Sequence, residues 1–164
     1  TLSMIMGLRC CSGDVIILDG DILYPKSMFY DYVEKAESTS FALIPADINN
    51  TESTKTLIRS DGEIEAFITK RDLTPEEKVD FEFGGEAIGF FKLRADDQKK
   101  FIKHYESLES KYVEVLWEIP FSDFAKYVDL SPWLITQGPE CFEIDTQEDY
   151  EQALSSFLKN RNRY

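Results

Sequence analysis

The chain has 164 residues, of which 43% are hydrophobic and 13% aromatic, a composition typical of a packed globular domain rather than a disordered tail. It carries 31 acidic and 18 basic residues, and the net charge of −13 repels the nucleic-acid backbone and disfavours a DNA- or RNA-binding protein. No apolar run approaches the roughly 20 residues that a membrane-spanning helix needs. The first residues do not resemble a signal peptide, because the basic Arg9 follows the apolar stretch. We therefore expect a cytoplasmic protein with neither a nucleic-acid nor a membrane partner.

The apolar pattern alternates between strand-like and helix-like segments, which is typical of an α/β domain. A helix already under way at Thr1 precedes a short apolar run over 15–18, which indicates a strand buried on both faces of a parallel sheet. Pro25 is predicted to open a helix whose apolar residues recur at helical spacing. A second buried strand is predicted over 41–44, and 47–55 is predicted as a loop.

The same alternation continues through the rest of the chain. Asp-Gly at 61–62, between two strand-like runs, predicts a β-hairpin, and a polar stretch over 70–80 follows it. The further predicted elements are, in chain order, a strand over 86–93, a helix from about Asp96, a short helix over 112–118 that ends near Pro120, strands over 128–135 and 141–144, and a last helix that begins at a capping box of Thr146 and Asp149.

Cysteine and histidine usage argues against stapled or zinc-bound folds. The three cysteines, two of them adjacent, make a poor disulfide framework, and a single histidine makes a structural zinc site improbable. We interpret the cysteines as reduced, partly buried thiols. His104 lies in the middle of a helical pattern, KKFIKHYES, and is predicted to be a surface residue.

Acidic residues follow two of the predicted strands. VIILDGDIL places Asp19 and Asp21 around a glycine, and CFEIDTQEDY places Glu143 and Asp145 at the end of another apolar run. In α/β sheets, ligands collect beyond the carboxyl ends of the strands, and two carboxylates from different strand ends can hold one Mg²⁺. Each segment by itself also fits a plain interpretation: a solvated turn for the first, and an acid near the positive end of the last helix for the second.

Several motifs occur in an order that resembles a known family. LDGD after a strand, IEAFITK in a hairpin, GGEAIGFFKL, VEVLWEIPF and FEIDTQEDYEQA are similar to segments of sugar-phosphate nucleotidyltransferases. The likeness is strongest to the branch with choline-phosphate and phosphonate cytidylyltransferases, and it spans nearly the whole chain. It implies a three-layer α/β domain with a largely parallel, mixed sheet, the Rossmann-like nucleotidyltransferase fold without its first βα units.

The resemblance also implies roles for individual residues. Asp21 and Asp145 match the aspartates that hold Mg²⁺, and Asp21 therefore belongs to the catalytic centre. Lys70 resembles the catalytic lysine that contacts the acceptor's phosphate, although a lone lysine there also fits an ordinary surface charge. Glu86 resembles an acceptor-binding glutamate, and a charged residue at the start of a strand is the alternative.

Trp117 and Glu118 are the residues most informative about the acceptor. An aromatic face next to a carboxylate suits a cationic head group, and the pair matches the tryptophan–acid pair of the choline-activating relatives. The alternative is that Trp117 packs in the core while Glu118 lies at the surface. A cationic head group would favour phosphocholine or aminoethylphosphonate over a neutral sugar phosphate.

One departure from the family concerns the nucleotide. The family begins with a glycine-rich loop that carries a catalytic arginine, followed by a Pro-Lys segment, and no such segment occurs in these 164 residues. We therefore expect residues 1–164 to form one N-terminally truncated domain without appreciable activity of its own.

The expected parent reaction is transfer of a nucleotidyl group, in preference CMP from CTP, to a small phosphorylated or phosphonate acceptor with release of pyrophosphate. The alternatives are a hexose-1-phosphate nucleotidyltransferase and a non-catalytic regulatory or interaction domain of the same fold. A homodimer is compatible with either interpretation.

Overall fold

A computed structural model describes residues 1–135 and 141–164. The helices are α1 (Leu2–Cys10), α2 (Lys26–Lys35), α3 (Pro75–Asp80), α4 (Ala95–Ser107), α5 (Glu109–Tyr112), α6 (Glu118–Phe124) and α7 (Gln147–Lys159). The strands are β1 (Val15–Leu18), β2 (Ile22–Leu23), β3 (Ser40–Ile44), β4 (Lys55–Ile58), β5 (Ile64–Ile68), β6 (Glu82–Leu93), β7 (Ser131–Leu134) and β8 (Phe142–Glu143). Over these ranges, none of the helices has the length and apolar character needed to cross a membrane.

A six-stranded mixed sheet is organised around the long strand β6. β4 and β1 pair with the first and second parts of one edge of β6, and β3 pairs with the other edge; all three pairings are antiparallel. β7 runs parallel to β3, and β5 runs antiparallel to β4. Consequently β1, β3, β4 and β7 share one direction, as expected for a largely parallel sheet. Since β6 lies among them, however, β3–β7 is the single parallel pair that hydrogen-bonds directly among the described strands.

Helices cover both faces of this sheet. In β3, Phe41 packs into a core with α1, α4 and α6, whereas the next residue, Ala42, packs into a separate core with α2. Phe90 and Phe91 divide between the two cores in the same way. Because successive side chains of a strand point to opposite faces, the pattern shows helices on both sides of the sheet. The expected three-layer α/β architecture is confirmed.

Several local predictions are confirmed, and three are corrected. The β4–β5 hairpin forms with Gly62 at φ +92°, a conformation that L side chains rarely adopt. The stretch 70–80 was predicted only as polar, yet it contains α3, which starts with a capping box of Thr74 and Glu77. This helix has no apolar periodicity because it buries none of its residues, so only its cap identifies it.

The short helix predicted over 112–118 is wrong. α5 ends at Tyr112, and α6 begins at Glu118 with Pro120 in its first turn. Proline lacks an N–H group, but the first turn of a helix does not use that donor, so Pro120 lies near the start of a helix here rather than near its end. Pro25 likewise is the residue before α2 rather than its first residue.

Two burial predictions are also corrected. β1 is half-buried along its whole length rather than fully buried, and among the described strands it pairs with β6 alone, so one of its edges has no neighbouring strand. His104 is on a helix as predicted, but it is half-buried, with Nε2 3.1 Å from the hydroxyl oxygen of Tyr112. The three cysteines are free thiols; Cys141 is partly buried as predicted, whereas Cys10 and Cys11 are exposed.

Candidate functional site

The two acidic segments singled out in the sequence lie side by side. β2 and β8 pair antiparallel with Ile22 opposite Glu143, and the N–H of Ile144 donates to the carbonyl of Asp21 at 2.9 Å. Just beyond, the predicted capping box starts α7, with the Asp149 N–H donating to Thr146 Oγ1 at 3.2 Å. This short ladder joins the end of β1 to the start of α7, although the two are far apart in the sequence.

A cavity of about 390 Å³ opens where this ladder meets β6, the turn after β5 and the start of α6. Five of the six predicted site residues line it: Lys70, Glu86, Trp117, Glu118 and Asp145. Asp21, the sixth, is exposed in the turn between β1 and β2 and is not among the lining residues. Its neighbour Asp19 lines the cavity instead. The acid of LDGD that reaches the cavity is therefore the first one, Asp19, and not the predicted second one.

Asp19 reaches the cavity because β6 has a glycine beside it. The Asp19 N–H donates to the carbonyl of Gly89 at 2.9 Å, and Gly89 has φ +61°. A Cβ atom added at Gly89 would lie 2.0 Å from Asp19 Oδ2, far inside van der Waals contact. Gly89 therefore makes room for the carboxylate, and any side chain there would displace it.

The cavity is strongly acidic. Six carboxylates line it: those of Asp19, Glu52, Glu86, Glu118, Glu143 and Asp145. Among the described lining residues, Lys70 has the one basic side chain. Such an excess of negative charge in a partly buried site favours a ligand that brings positive charge with it.

Burial and mutual repulsion perturb several of these acids. Burial, followed by the negative charge of Asp145 and three further carboxylates, raises the pKa of Glu143 to about 7. Burial and the charge of Asp21 raise the pKa of Asp19. Burial raises the pKa of Glu86 as well. Clusters of carboxyl groups with raised pKa values in a cleft are characteristic of functional sites.

Lys70 occupies an unusual backbone conformation. Its φ of +54° makes it the one non-glycine residue with positive φ in the described chain. β5 ends at Ile68, so Lys70 lies in the turn that follows the strand rather than at the strand's end. Holding a lysine in the left-handed region costs on the order of 1 kcal/mol, and such strain is found preferentially at functional sites.

Lys55, which was not singled out from the sequence, links the loop before β4 to the turn after β5 through hydrogen bonds. Its side chain is fully buried, and Nζ donates to the carbonyl of Arg71, at 3.1 Å, and to that of Asn50. Lys55 also faces Glu86 across β4 and β6, and its charge partly offsets the rise in the pKa of Glu86. The sequence placed Lys55 at the end of a predicted loop over 47–55, whereas it is the first residue of β4. A lysine at the end of a polar stretch has no local signal of burial, so its role depends on the tertiary fold.

Trp117 packs in the core, as the alternative interpretation expected, and it also lines the cavity, while its contact with a head group stays a prediction. Its ring packs against Phe41, Phe67 and Phe91 with ring centroids 5.1–5.8 Å apart, and the side chain also lines the cavity. The alternative that placed Glu118 at the surface is wrong, since Glu118 is only 6% exposed. Oε1 of Glu118 accepts a hydrogen bond from Thr54 Oγ1 at 3.0 Å, whereas Oε2 is buried and has no hydrogen-bond partner among the described residues.

The acid-rich wall is chemically suited to Mg²⁺, which prefers carboxylate oxygens and retains several waters. Across residues 1–135 and 141–164, no cluster of three or more His, Cys, Asp or Glu side chains is arranged to hold a metal ion alone. A site with two aspartates, as predicted for Asp21 and Asp145, leaves the other coordination positions to water and substrate phosphates. The lining carboxylates are of the type that Mg²⁺ prefers, but Asp21 is not among them, so the joint site of Asp21 and Asp145 stays a prediction.

No protein-family model matches the chain, and no curated protein does either. Among solved structures, the CTP:phosphocholine cytidylyltransferase of Streptococcus pneumoniae is similar, with a TM-score of 0.66 and 16% identity over 96% of this chain and 62% of that one. An apo UDP-glucose pyrophosphorylase has a TM-score of 0.69 and 14% identity over 97% of this chain and 59% of the other. A putative glucose-1-phosphate thymidylyltransferase of Bacillus anthracis has a TM-score of 0.67 and 11% identity, covering 94% and 58%.

At these identities the likeness concerns the fold. This chain spans about three-fifths of the length of the structures it matches. Enzymes that act on different nucleotides and different acceptors match it about equally well, so the matches do not select a substrate. The chain has the nucleotidyltransferase fold that its motifs predicted.

Proposed function

We propose that this chain forms the acceptor-binding part of a Mg²⁺-dependent cytidylyltransferase. The acceptor is a small phosphate or phosphonate with a cationic head group, and the reaction transfers CMP from CTP and releases pyrophosphate. The observation that carries this proposal is the buried, unpartnered oxygen of Glu118, next to Trp117, in a cavity with six carboxylates and one lysine. A neutral sugar phosphate would leave that charge unmatched.

The electrostatics of the cavity support a cationic head group. A buried carboxylate oxygen without a partner is destabilising by about 1–3 kcal/mol, and a cation placed against it would remove that cost. The exposed part of the Trp117 ring adds a cation–π contact, worth on the order of 1 kcal/mol or more once water is excluded. Both groups lie at the start of α6, so one head group can touch both.

The other end of the acceptor is assigned to Lys70. Its ammonium group would bind the acceptor's phosphate or phosphonate and orient one oxygen for attack on the α-phosphorus of CTP. Asp21 and Asp145 would hold Mg²⁺, which when bound offsets negative charge on the phosphate groups. The protein thus contributes positioning and charge neutralisation, and no covalent intermediate with a side chain is required.

The proposal is tested by calorimetric titration of the chain in the presence of Mg²⁺ with three compounds: phosphocholine, phosphoethanolamine and glucose 1-phosphate. We expect at least one cationic compound to bind roughly tenfold or more tighter than glucose 1-phosphate, as one desolvated cation contact provides. Equal or tighter binding of glucose 1-phosphate would reject the cationic acceptor and favour a hexose-1-phosphate enzyme.

Catalysis is a separate expectation. A polypeptide of these 164 residues contains no glycine-rich phosphate-binding loop, and loss of a single donor of this kind commonly reduces a rate by about 10²–10³. We therefore expect no appreciable release of pyrophosphate from CTP by this polypeptide, even when it binds the acceptor. Robust release in a coupled assay would contradict this expectation.

A further inference from the structure

Thr54 is the one described group that hydrogen-bonds the Glu118 carboxylate. Thr54 Oγ1 donates to Oε1 at 3.0 Å, while Oε2 remains buried and unpartnered, and both residues line the cavity. Glu118 is 6% exposed, so water has little access to the free oxygen. The hydroxyl of Thr54 therefore determines which oxygen of the carboxylate is left for a ligand.

The position of Thr54 is itself well determined. Its carbonyl accepts a hydrogen bond from the N–H of Ala87 in β6 at 2.9 Å. The next residue is the fully buried Lys55, whose ammonium group donates to two backbone carbonyls. Glu118 is also fixed, because Ser122 Oγ donates to its carbonyl at 2.8 Å and accepts from the N–H of Phe67 at 2.8 Å. Donor and acceptor are thus anchored, directly before β4 and on α6, independently of any ligand.

The cavity distinguishes two kinds of cationic head group. A quaternary ammonium has no N–H donor and is usually bound by several aromatic rings, whereas Trp117 is the one aromatic side chain among the described lining residues. A primary ammonium has three N–H donors and can give one of them to the free carboxylate oxygen. A charge-assisted hydrogen bond of this kind is roughly twice as strong as a neutral one.

We infer that Thr54 is a specificity-determining positioning residue, which holds Glu118 so that Oε2 accepts a hydrogen bond from a primary ammonium group. The acceptor class is then an aminoalkyl phosphate or phosphonate rather than a trimethylammonium compound. This inference rests on the proposed function, since it concerns the same cavity and the same head group. It adds a residue that the family resemblance did not single out, together with a choice between two cationic acceptor classes.

The experiment compares phosphoethanolamine with phosphocholine by calorimetry in the wild-type chain, in Thr54→Val and in Thr54→Ser. Valine preserves the shape of threonine but removes the hydroxyl, whereas serine keeps the hydroxyl. We expect the wild type and Thr54→Ser to bind phosphoethanolamine about tenfold tighter than phosphocholine, the effect of one charge-assisted hydrogen bond. Thr54→Val should lose most of this preference while its affinity for phosphocholine changes less than threefold.

The possible outcomes distinguish a failure of this inference from a failure of the proposed function. A wild type that binds phosphocholine as tightly as phosphoethanolamine, or tighter, overturns the inference but leaves the cationic acceptor standing. Thr54→Val with the wild-type preference overturns the role of Thr54. A wild type that binds both compounds no better than glucose 1-phosphate overturns the proposed function and this inference together. Thermal unfolding of each variant identifies any loss of binding that comes from misfolding, and if Thr54→Val misfolds, Thr54→Ala replaces it as the variant without the hydroxyl.

Discussion

Helix α6 carries two carboxylates in opposite situations. Glu118, the first residue of the helix, lines the cavity. One of its carboxylate oxygens accepts a hydrogen bond, and the other is buried without a partner among the described residues. Asp123, later on the same helix, accepts hydrogen bonds from Tyr112 at 2.8 Å, from Lys126 at 2.8 Å, and from Lys111. Partial burial opposes ionisation of Asp123, but these donors outweigh it and hold its pKa well below the usual range.

The difference between these two carboxylates indicates which acidic residues are available to a ligand. A carboxylate whose oxygens are all matched by donors of its own chain contributes to stability and offers nothing to a ligand. A buried carboxylate with one unpartnered oxygen, as in Glu118, stabilises nothing by itself. The raised pKa values of Asp19 and Glu143 show that the same cavity also opposes ionisation of its other acids. Four substitution experiments test whether Glu118 and Asp123 differ in this way.

The largest effect is expected from Trp117→Ala. The variant removes a ring packed on Phe41, Phe67 and Phe91, so we expect the free energy of unfolding to fall by about 3 kcal/mol. It should also weaken binding of the cationic acceptor roughly tenfold, through the lost cation–π contact. Trp133→Ala is the matched control, since Trp133 packs on Tyr32 in the other core and should alter stability but not acceptor affinity. Equal losses of affinity in the two variants would assign Trp117 to packing alone.

Glu118→Gln is expected to separate binding from stability. Removing the charge that faces the head group should weaken the cationic acceptor about 30-fold, or ~2 kcal/mol, measured by calorimetry. The free energy of unfolding in urea should not fall, because the variant removes an unpartnered negative charge from an acidic cavity. A marked loss of stability would show that Glu118 is a structural group like Asp123.

Metal binding tests the acidic wall as a whole. Mg²⁺ at ten times its dissociation constant should stabilise the native chain by about 1.4 kcal/mol, visible as a higher unfolding temperature. We expect Asp145→Asn and Asp21→Asn each to reduce this stabilisation strongly. Asp123→Asn, outside the cavity, should retain it. If Asp19→Asn reduces the effect while Asp21→Asn does not, the ligand is the cavity-lining acid of LDGD.

The smallest effect concerns Asp123 and acid stability. Because the lysines that pair with it are more than half exposed, solvent screening limits the effect, and Asp123→Asn should cost about 1 kcal/mol. The folded pKa is lowered, so this contribution is fully present above the unfolded value of roughly 3.9 and is lost as the pH falls further. Urea unfolding should therefore separate variant and wild type at pH 7 and bring them closer below about pH 4. A gap that does not depend on pH would contradict the assignment of the ion pairs.

The features that could be predicted from the sequence alone are mostly local ones. The hairpin follows from Asp-Gly at 61–62, and the start of α7 follows from the cap at Thr146, because both depend on backbone preferences within a few residues. The motif order predicted the fold and five residues that line one cavity. These signals lie within short segments, so they can be recognised before any long-range contact is known.

Strand directions and the contacts between distant residues became known only from the tertiary structure. β6 is inserted antiparallel among strands that share a direction, and no periodicity within a strand reveals its neighbour's direction. Asp19 rather than Asp21 reaches the cavity because Gly89, on a distant strand, leaves room for it. The burial of Lys55 and the contact between Thr54 and Glu118 likewise depend on segments far apart in the chain. The residues that set the charge and orientation of these side chains lie far away in the sequence and come close only on folding. A pattern within one short segment therefore cannot predict them.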